Sequence, residues 1–476
     1  MNRRPWPRPF LDAAGLVALK LAVTLLVFAS GFRAISDDDY ARVAIAERFA
    51  DAAKIDPTGT SWLPFPFYLY GAAFKLLGNS LGVASAVAAL LGVLSTLVCW
   101  WAARLLGLSR WAAFGGAALC ALLPYSAYLG AAAVPEAPSA AICVFAAAAL
   151  GQVGTPRLLG ACALFAACAS RYEAWAVAAV FASITARDAL QTRDRRMALA
   201  AAVAAGFPLL WLLHGIARHG DATFFIARVS AYHAALGSSH SALDHWFATP
   251  RGLALGEPEL CVVFATLALP LTWITRARDS SRLARFAATL FALFALVMAG
   301  EVRGSAPTHH GERALLAIWF GMALLTARAV ERLPSLAAKQ LRVVAVLGCV
   351  SFLLGNRMRR EYPRDPFVDR SDAIDIGQRA RARRLQKLAI DSDDYAFFAV
   401  QAAFGHPAQT LVLDDRDPRR PRSQSWIHDP EQLLSTLRSA QIPALVVPRS
   451  RAPFAHAVGS VSEENNGFLL IDRLNR

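Results

Sequence analysis

The sequence predicts a polytopic α-helical membrane protein that ends in a small soluble α/β domain. Three observations carry that prediction. Hydrophobic residues make up 56% of the 476 and charged residues only 18%, with a mean hydropathy of +0.38, too apolar for a soluble globular chain of this length. Apolar runs that approach the span of a hydrocarbon core of about 30 Å recur along the chain. Beyond residue 357 they stop, and the composition turns to Arg, Asp and Pro.

In order, the runs fall at about 11–33, 81–103, 111–129, 137–153, 197–216, 258–275, 286–302, 313–330 and 343–357. Residues 158–187 have the length of one generous span, but Arg171, Tyr172 and Glu173 lie at its centre. A charge there costs about 2.5–3.5 kcal/mol. The stretch is therefore read as two short helices with a turn at Arg171–Glu173, which brings the total to about 11 transmembrane helices. With that count the basic short loops, such as Arg104 with Arg110 and Arg193 with Arg195 and Arg196, fall on the side of the N-terminus, the mark of a cytoplasmic N-terminus. The first run is long for a signal peptide, carries Lys20 and is followed by further spans, so it reads as an uncleaved helix.

The net charge of +14 is mostly a topology signal, its arginines scattered over loops on the cytoplasmic side. It forms no basic groove and gives no support to a nucleic-acid partner. The seven cysteines all lie in apolar runs, at spacings that suit neither zinc nor a disulfide framework.

On this topology residues 34–80, 130–136, 171–173, 217–257, 303–312 and everything after about 358 face the outer side. The first outer loop, 34–80, opens with Asp37-Asp38-Asp39. Tyr40–Lys54 then has helical spacing of apolar residues up to a break at Asp56-Pro57-Thr58-Gly59, which predicts an amphipathic helix at the interface. Trp62-Leu63-Pro64-Phe65-Pro66 leads into a second interfacial helix that runs to Leu77. The 217–257 loop holds His219, His233, His240, His245, Asp221 and Asp244 without a metal-ligand spacing. The chain divides into a membrane domain, 1–357, and a periplasmic α/β domain, 358–476. In the latter, runs at 395–400, 411–413, 444–447 and 468–471 read as strands, and Asp429-Pro430 opens a helix over 431–440.

Three adjacent carboxylates at the exit of a span repel one another and are tolerated there when solvated, cation-bound or used. Either they cap the membrane exit or they do chemistry. Ser36-Asp37-Asp38-Asp39-Tyr40, then Ile45-Ala46-Glu47-Arg48-Phe49-Ala50, then Trp62-Leu63-Pro64-Phe65-Pro66 resembles the first extracytoplasmic loop of the GT-C integral-membrane glycosyltransferases. That superfamily includes the protein O-mannosyltransferases and the bacterial aminoarabinose transferase. Ala133-Val134-Pro135-Glu136-Ala137 is similar to its acidic second loop, and Ala169-Ser170-Arg171-Tyr172-Glu173-Ala174-Trp175 looks like the break between its two short middle helices. The similarity covers roughly residues 11–190. Many members carry Asp-Glu where this chain has Asp-Asp-Asp, so Asp37 and Asp38 both stand as the counterpart of the family's catalytic aspartate.

The resemblance implies a GT-C-like hexosyltransferase of the bacterial inner membrane. It would take a sugar from a polyprenyl-phosphate donor and pass it to a glycan, lipid or protein acceptor at the periplasmic face. Asp37 or Asp38 would act as base in one inverting displacement. Glu136 would be a second carboxylate, either orienting the acceptor or, with Asp38, holding a divalent cation, Mg or Mn. Arg303, His309, His310 and Arg313, with Arg171, are the candidates to hold the departing phosphate. The alternatives for them are a solvated rim and pairing with Glu312 or Glu173. Asp39, Tyr40, Trp62 and Glu173 complete the substrate-binding set, Tyr40 and Trp62 either stacking on sugar or anchoring the interface. A transporter or lipid flippase with a periplasmic accessory domain is the competing class. It has no detectable inverted repeats and its charges lie at the outer rim instead of mid-membrane.

Overall fold

Ser36, a good helix cap, is followed by the acidic triplet, and carboxylates are favoured in a first helical turn by the partial positive charge there. In the computed structural model, which describes residues 8–59, 61–236, 242–274, 280–303, 311–333, 368–414 and 429–474, the helix therefore starts at the triplet itself. It follows α1 (Arg8–Ala29) and runs as α2 (Asp37–Asp51), three residues ahead of the predicted Tyr40–Lys54. The residues from Asp39 to Glu47 are all buried, so α2 is no amphipathic helix with one face on an interface. It is enclosed, packed against α3 (Phe65–Leu77) on one side and the C-terminal part of the chain on the other. Glu47 is fully buried on it, and burial pushes its carboxyl well above the usual range.

The remaining helices of the bundle are α4 (Leu81–Leu105), α5 (Arg110–Leu122), α6 (Pro124–Leu129), α7 (Glu136–Ala149), α8 (Thr155–Cys168), α9 (Glu173–Thr192) and α10 (Arg195–His219), followed by α11 (Phe224–Leu236) and α12 (Ala242–Gly256). Next come α13 (Pro258–Val263), a π-helical turn (Phe264–Ala268) and α14 (Leu269–Ile274), then α15 (Ser280–Val302), α16 (Gly311–Ala314) and α17 (Leu316–Glu331). Among the described residues four helices, in α1, α4, α10 and α15, are long and apolar enough to cross a membrane, and a fifth span is counted if the pair bent by 94° at Glu257 is one broken span. The chain is thus an integral membrane protein. The predicted pair of short helices around Arg171–Glu173 is present as α8 and α9. The predicted 111–129 run is instead two helices, because Pro124 cannot continue α5 and drives Leu123 out of helical geometry (φ −53°, ψ 129°). The predicted span at 343–357 lies outside the described residues.

Small residues bring these helices close together. A Cβ on Gly92 of α4 would stand 2.2 Å from the Gly130 carbonyl oxygen, a contact that any side chain would break. Lys20 is buried beside this contact and donates to the Ser126 carbonyl at 2.9 Å. Cys99, Cys120, Cys143 and Cys168 are unpaired and buried in the same core.

The C-terminal part folds as a five-stranded sheet in the order β2-β1-β3-β5-β4, from β1 (Leu388–Ile390), β2 (Thr410–Val412), β3 (Leu445–Pro448), β4 (Gly459–Glu464) and β5 (Phe468–Leu474). β1 lies parallel to both β2 and β3, while β5 is antiparallel to β3 and β4. Helices α18 (Ser371–Ala382) and α19 (Phe397–Phe404) cover one face, α20 (Pro430–Ser439) and α21 (Ala452–Val458) the other. Residues 395–400, predicted as a strand, belong largely to α19. The run Phe397-Phe398-Ala399-Val400 is buried nearly all round, so its apolar pattern has neither period. Asp429 caps α20 as expected, accepting from the Gln432 N–H at 3.0 Å. The other predicted strands are present, and β1 and β4 are additional.

The two parts share one apolar cluster. Tyr40 and Val43 of α2 and Phe67 of α3 pack with Phe397 and Val400 of α19. Arg381 donates to the Asn79 carbonyl at 2.6 Å and Asn79 Nδ2 to the Gly405 carbonyl at 2.9 Å, fastening the sheet domain to the turn before α4.

Candidate active site

The N-terminal turn of α2, the start of α7, the break between α8 and α9, and α16 meet where the helical bundle joins the sheet domain. They bring together the acidic triplet, Glu136, Arg171, Glu173 and Arg313.

The three aspartates have three fates. Asp37 is engaged bidentately by Arg370, whose Nε and Nη2 reach Oδ1 and Oδ2 at 2.8 and 2.9 Å, and whose Nη1 reaches Asp394 at 2.6 Å. Asp39 is turned inward and is 3% exposed. Its Oδ2 accepts from the Ser36 N–H at 3.2 Å and its Oδ1 from the Ala133 N–H at 3.1 Å, so it joins the first and second outer loops. Burial pushes its carboxyl up to about 7 against the opposing pull of the Arg313 guanidinium. Asp38 is half-buried and makes no hydrogen bond or ion pair among the described residues.

Arg42 stands one helical turn beyond Asp38, on the same face. Its guanidinium lies 4.3 Å from the Trp62 ring centroid and its Nε is buried with no partner among the described residues. Glu136, the first residue of α7, accepts from Arg171 Nη1 at 2.9 Å through Oε1, while its Oε2 is buried and unpaired. Arg171 also grips Glu173 with Nε, at 3.1 Å, and Nη2. Arg171 is thus saturated by two glutamates. Arg313 is buried and makes one long contact, from Nη1 to Ser36 Oγ at 3.4 Å. Among the described residues of this cluster, Arg42 and Arg313 are the cations with donors to offer.

Of the other predicted residues, Tyr40 is buried in the cluster between α2 and the sheet domain, its hydroxyl unpaired among the described residues. Trp62 lies under Arg42. Arg303 is exposed just past α15, with no hydrogen bond or ion pair to the carboxylates among the described residues, and His309 and His310 lie outside those residues. Arg42 and Arg370 are the residues that sequence reasoning missed. The i, i+4 spacing from Asp38 is a signal for Arg42; no local signal points to Arg370, which lies 333 residues from its partner.

Among the described residues, one group of side chains has a metal-compatible donor set: Asp56, His214 and His219 place one ligand atom each within 4.8 Å of one another. His219 belongs to the histidine-rich outer segment, and its two companions come from outside that segment. Asp56 Oδ1 already accepts from Thr58 and Gly59.

No protein-family model matches the chain, and no curated protein sequence does. Known structures do. ArnT from Cupriavidus metallidurans bound to undecaprenyl phosphate superposes with a TM-score of 0.63 at 15% identity, over 96% of this chain and 98% of that one. The same protein in the apo state gives 0.61 at 16%, with the same coverage. The oligosaccharyltransferase of Archaeoglobus fulgidus in the apo form gives 0.51 at 13%, over 94% of this chain and 70% of that one. ArnT is an aminoarabinose transferase, and both proteins are GT-C membrane glycosyltransferases. The likeness is one of fold: this chain has the GT-C fold from its first helix to its C-terminal sheet.

Proposed function

We propose that the protein is a glycosyltransferase that takes a hexosyl group from a polyprenyl-phosphate carrier and passes it to an acceptor hydroxyl or amine, with Asp38 as the general base. The observation that carries this reading is the division of labour in the triplet. Asp37 is held by Arg370 and Asp39 by backbone N–H groups, which leaves Asp38 as the carboxylate without a partner, one turn from a buried guanidinium with a spare donor.

A phosphate is a good leaving group, so the reaction needs no strong acid. Asp38 takes the proton from the acceptor as its oxygen or nitrogen attacks the anomeric carbon from the face opposite the phosphate. The bond from that carbon to the phosphate oxygen breaks, the electron pair stays on the phosphate, and the sugar inverts. Arg42 and Arg313 hold the charge that develops there. Arg171, fixed by Glu136 and Glu173, sets the position of Glu136, whose free Oε2 is placed to orient the acceptor. A divalent cation, Mg or Mn, between Asp38 and Glu136 is compatible with that orphaned oxygen. The neighbouring arginines already supply countercharge, so chelation is expected to leave turnover intact. The bacterial inner membrane, a cytoplasmic N-terminus and a periplasmic sheet domain, on an eleven-span topology, complete the proposal.

The test is donor consumption by the purified protein in lipid nanodiscs, over a panel of polyprenyl-phosphate sugars, for wild type, Asp37→Asn and Asp38→Asn. The expected result is consumption by the wild type that is lost in folded Asp38→Asn. If no donor is consumed and both variants sustain whatever cellular phenotype the wild type has, the catalytic reading fails and transport takes its place.

A further inference from the structure

The sheet domain has its own crevice. The chain leaves β1, passes through α19 to β2 on one side, and returns through α20 to β3 on the other, so the helices that follow β1 and precede β3 lie on opposite faces. In open parallel sheets the loops beyond the carboxyl ends of two such strands part from each other, and ligands bind in the gap. Here the loop after β1 supplies Ser392, Asp393 and Asp394, and the loop after β3 supplies Arg449 and Ser450. Between them is a cavity of about 430 Å³, closed at one side by Arg370. That volume lies in the range of about 300–1,000 Å³ usual for small-molecule sites.

We propose that this crevice is the acceptor subsite and that it binds an uncharged or amine-bearing sugar ring. The inference rests on the glycosyltransferase reading above. Two features set the ligand class. The lining is polar and its carboxylates, Asp369, Asp372, Asp393 and Asp394, outnumber the guanidiniums of Arg370 and Arg449. Ionised carboxylates only accept hydrogen bonds, so they favour hydroxyl and ammonium groups and oppose phosphate. The loops after β1 and β3 are tied to each other beside the crevice, because Arg451 is ion-paired to both Asp391 and Asp393 and Ser450 Oγ donates to Asp393 Oδ2 at 3.2 Å.

The position gives the subsite its use. Arg370 is a wall of the crevice and at the same time the partner of Asp37, with Nη1 on Asp394 and Nε on Asp37. A ring seated against Asp394 therefore lies one guanidinium from Asp37 at the α2 N-terminus, and an extended acceptor anchored by that ring carries its reacting group past Arg370 to Asp38. Arg370 is a positioning residue that sets the distance between the acceptor and the base.

The test uses the full chain in nanodiscs with methyl hexosides and methyl glucosaminide as probes, read by saturation-transfer NMR, alongside transfer and donor-hydrolysis rates. Ser450 is exposed at the rim, so Ser450→Trp fills the crevice without entering the core. It is expected to weaken probe binding at least tenfold and to raise the acceptor KM. Asp394→Asn, which keeps the shape and removes the charge, is expected to weaken binding of the amine-bearing probe more than that of the neutral ones. If both variants bind probes and transfer sugar as the wild type does, the subsite is overturned. A wild type that binds probes but consumes no donor overturns the glycosyltransferase reading and leaves the crevice standing as a sugar site.

Discussion

Asp188 and Asp38 are both aspartates set among arginines of the helical bundle, and the structure treats them in opposite ways. Asp188 of α9 takes Arg157 Nη1 and Arg285 Nη1 on Oδ2, each at 2.6 Å, and Arg285 Nη2 on Oδ1 at 3.1 Å. Arg157 adds a bond to the Leu150 carbonyl at 2.6 Å, leaving only its Nε unpaired. Asp12 and Arg110 form a bidentate pair of the same kind, at 2.6 and 2.7 Å. At the α2 end, in contrast, Asp38 has no partner among the described residues, and Arg42 Nε and Glu136 Oε2 are buried and unpaired. Each such orphan costs about 1–3 kcal/mol in desolvation. The completed pairs hold helices together. The incomplete ones are held by helices at a cost to stability, and on the proposed reading they meet the substrate.

The largest effect that tests this contrast is on chemistry. Asp38→Asn removes the base and is expected to lower kcat by about 10²–10⁴-fold with donor binding retained. Asp37→Asn should lose far less, because its carboxylate is already engaged with Arg370. Equal losses in single-turnover rate for the two would erase the distinction within the triplet. Next in size is Arg42→Met, which keeps a long side chain beside Trp62 and removes the guanidinium with its donors. A loss of about 10²–10³ in kcat is expected, the size seen when one donor to a developing anion is deleted. A rise in donor KM with kcat unchanged would assign Arg42 to ground-state binding instead.

Asp188→Asn is the control from the other region. It leaves the buried Arg157 and the half-buried Arg285 facing an amide, and losing a hydrogen bond between charged groups costs about 1.5–3 kcal/mol. Thermal unfolding in detergent should move down markedly, while activity per folded molecule stays at the wild-type level. A fall in specific activity as large as that of Asp38→Asn would mean that saturation of partners does not separate framework from site.

How much of this was legible in the sequence depends on the range of the interaction. The first helix, the helix at the triplet, the break at Arg171–Glu173 and the cap at Asp429 are written in neighbouring residues, and local propensity and capping decided them. The cut at Pro124 was equally local and was hidden by the apolar run around it. The helix at 397–404 was misread because burial on all sides removes the periodicity that separates strand from helix. The enclosure of α2, which replaced the expected interfacial helix, comes from α19, far along the chain. Arg370 came within reach of Asp37 only through that same docking. The candidates from the first outer loops were thus readable and the structure brings them together, while the different partners of the three aspartates were not, because no local pattern reveals them.

The smallest expected effect concerns Asp39, beside Asp38 yet committed to structure. Its carboxyl is raised to about 7 by burial, above the ordinary 3.8. Below the ordinary value the folded and unfolded chains are both protonated and Asp39 costs nothing extra. As pH rises from about 4 to about 7 the unfolded chain releases this proton while the folded one keeps it, so Asp39's contribution to stability falls, and above about 7 it is constant. Asp39→Asn cannot titrate. The unfolding midpoint of the wild type minus that of Asp39→Asn should therefore decline across this window and level off beyond it. Two parallel curves from pH 4 to 8 would mean that Asp39 is ionised in the folded protein, and it would then compete with Asp38 for the role of base. A decline confined to the window would show that Asp39 keeps its proton in the folded protein until the pH approaches about 7. That would set Asp39 apart as a structural member of the triplet, with Asp37 paired to Arg370 and Asp38 without a hydrogen bond or ion pair among the described residues.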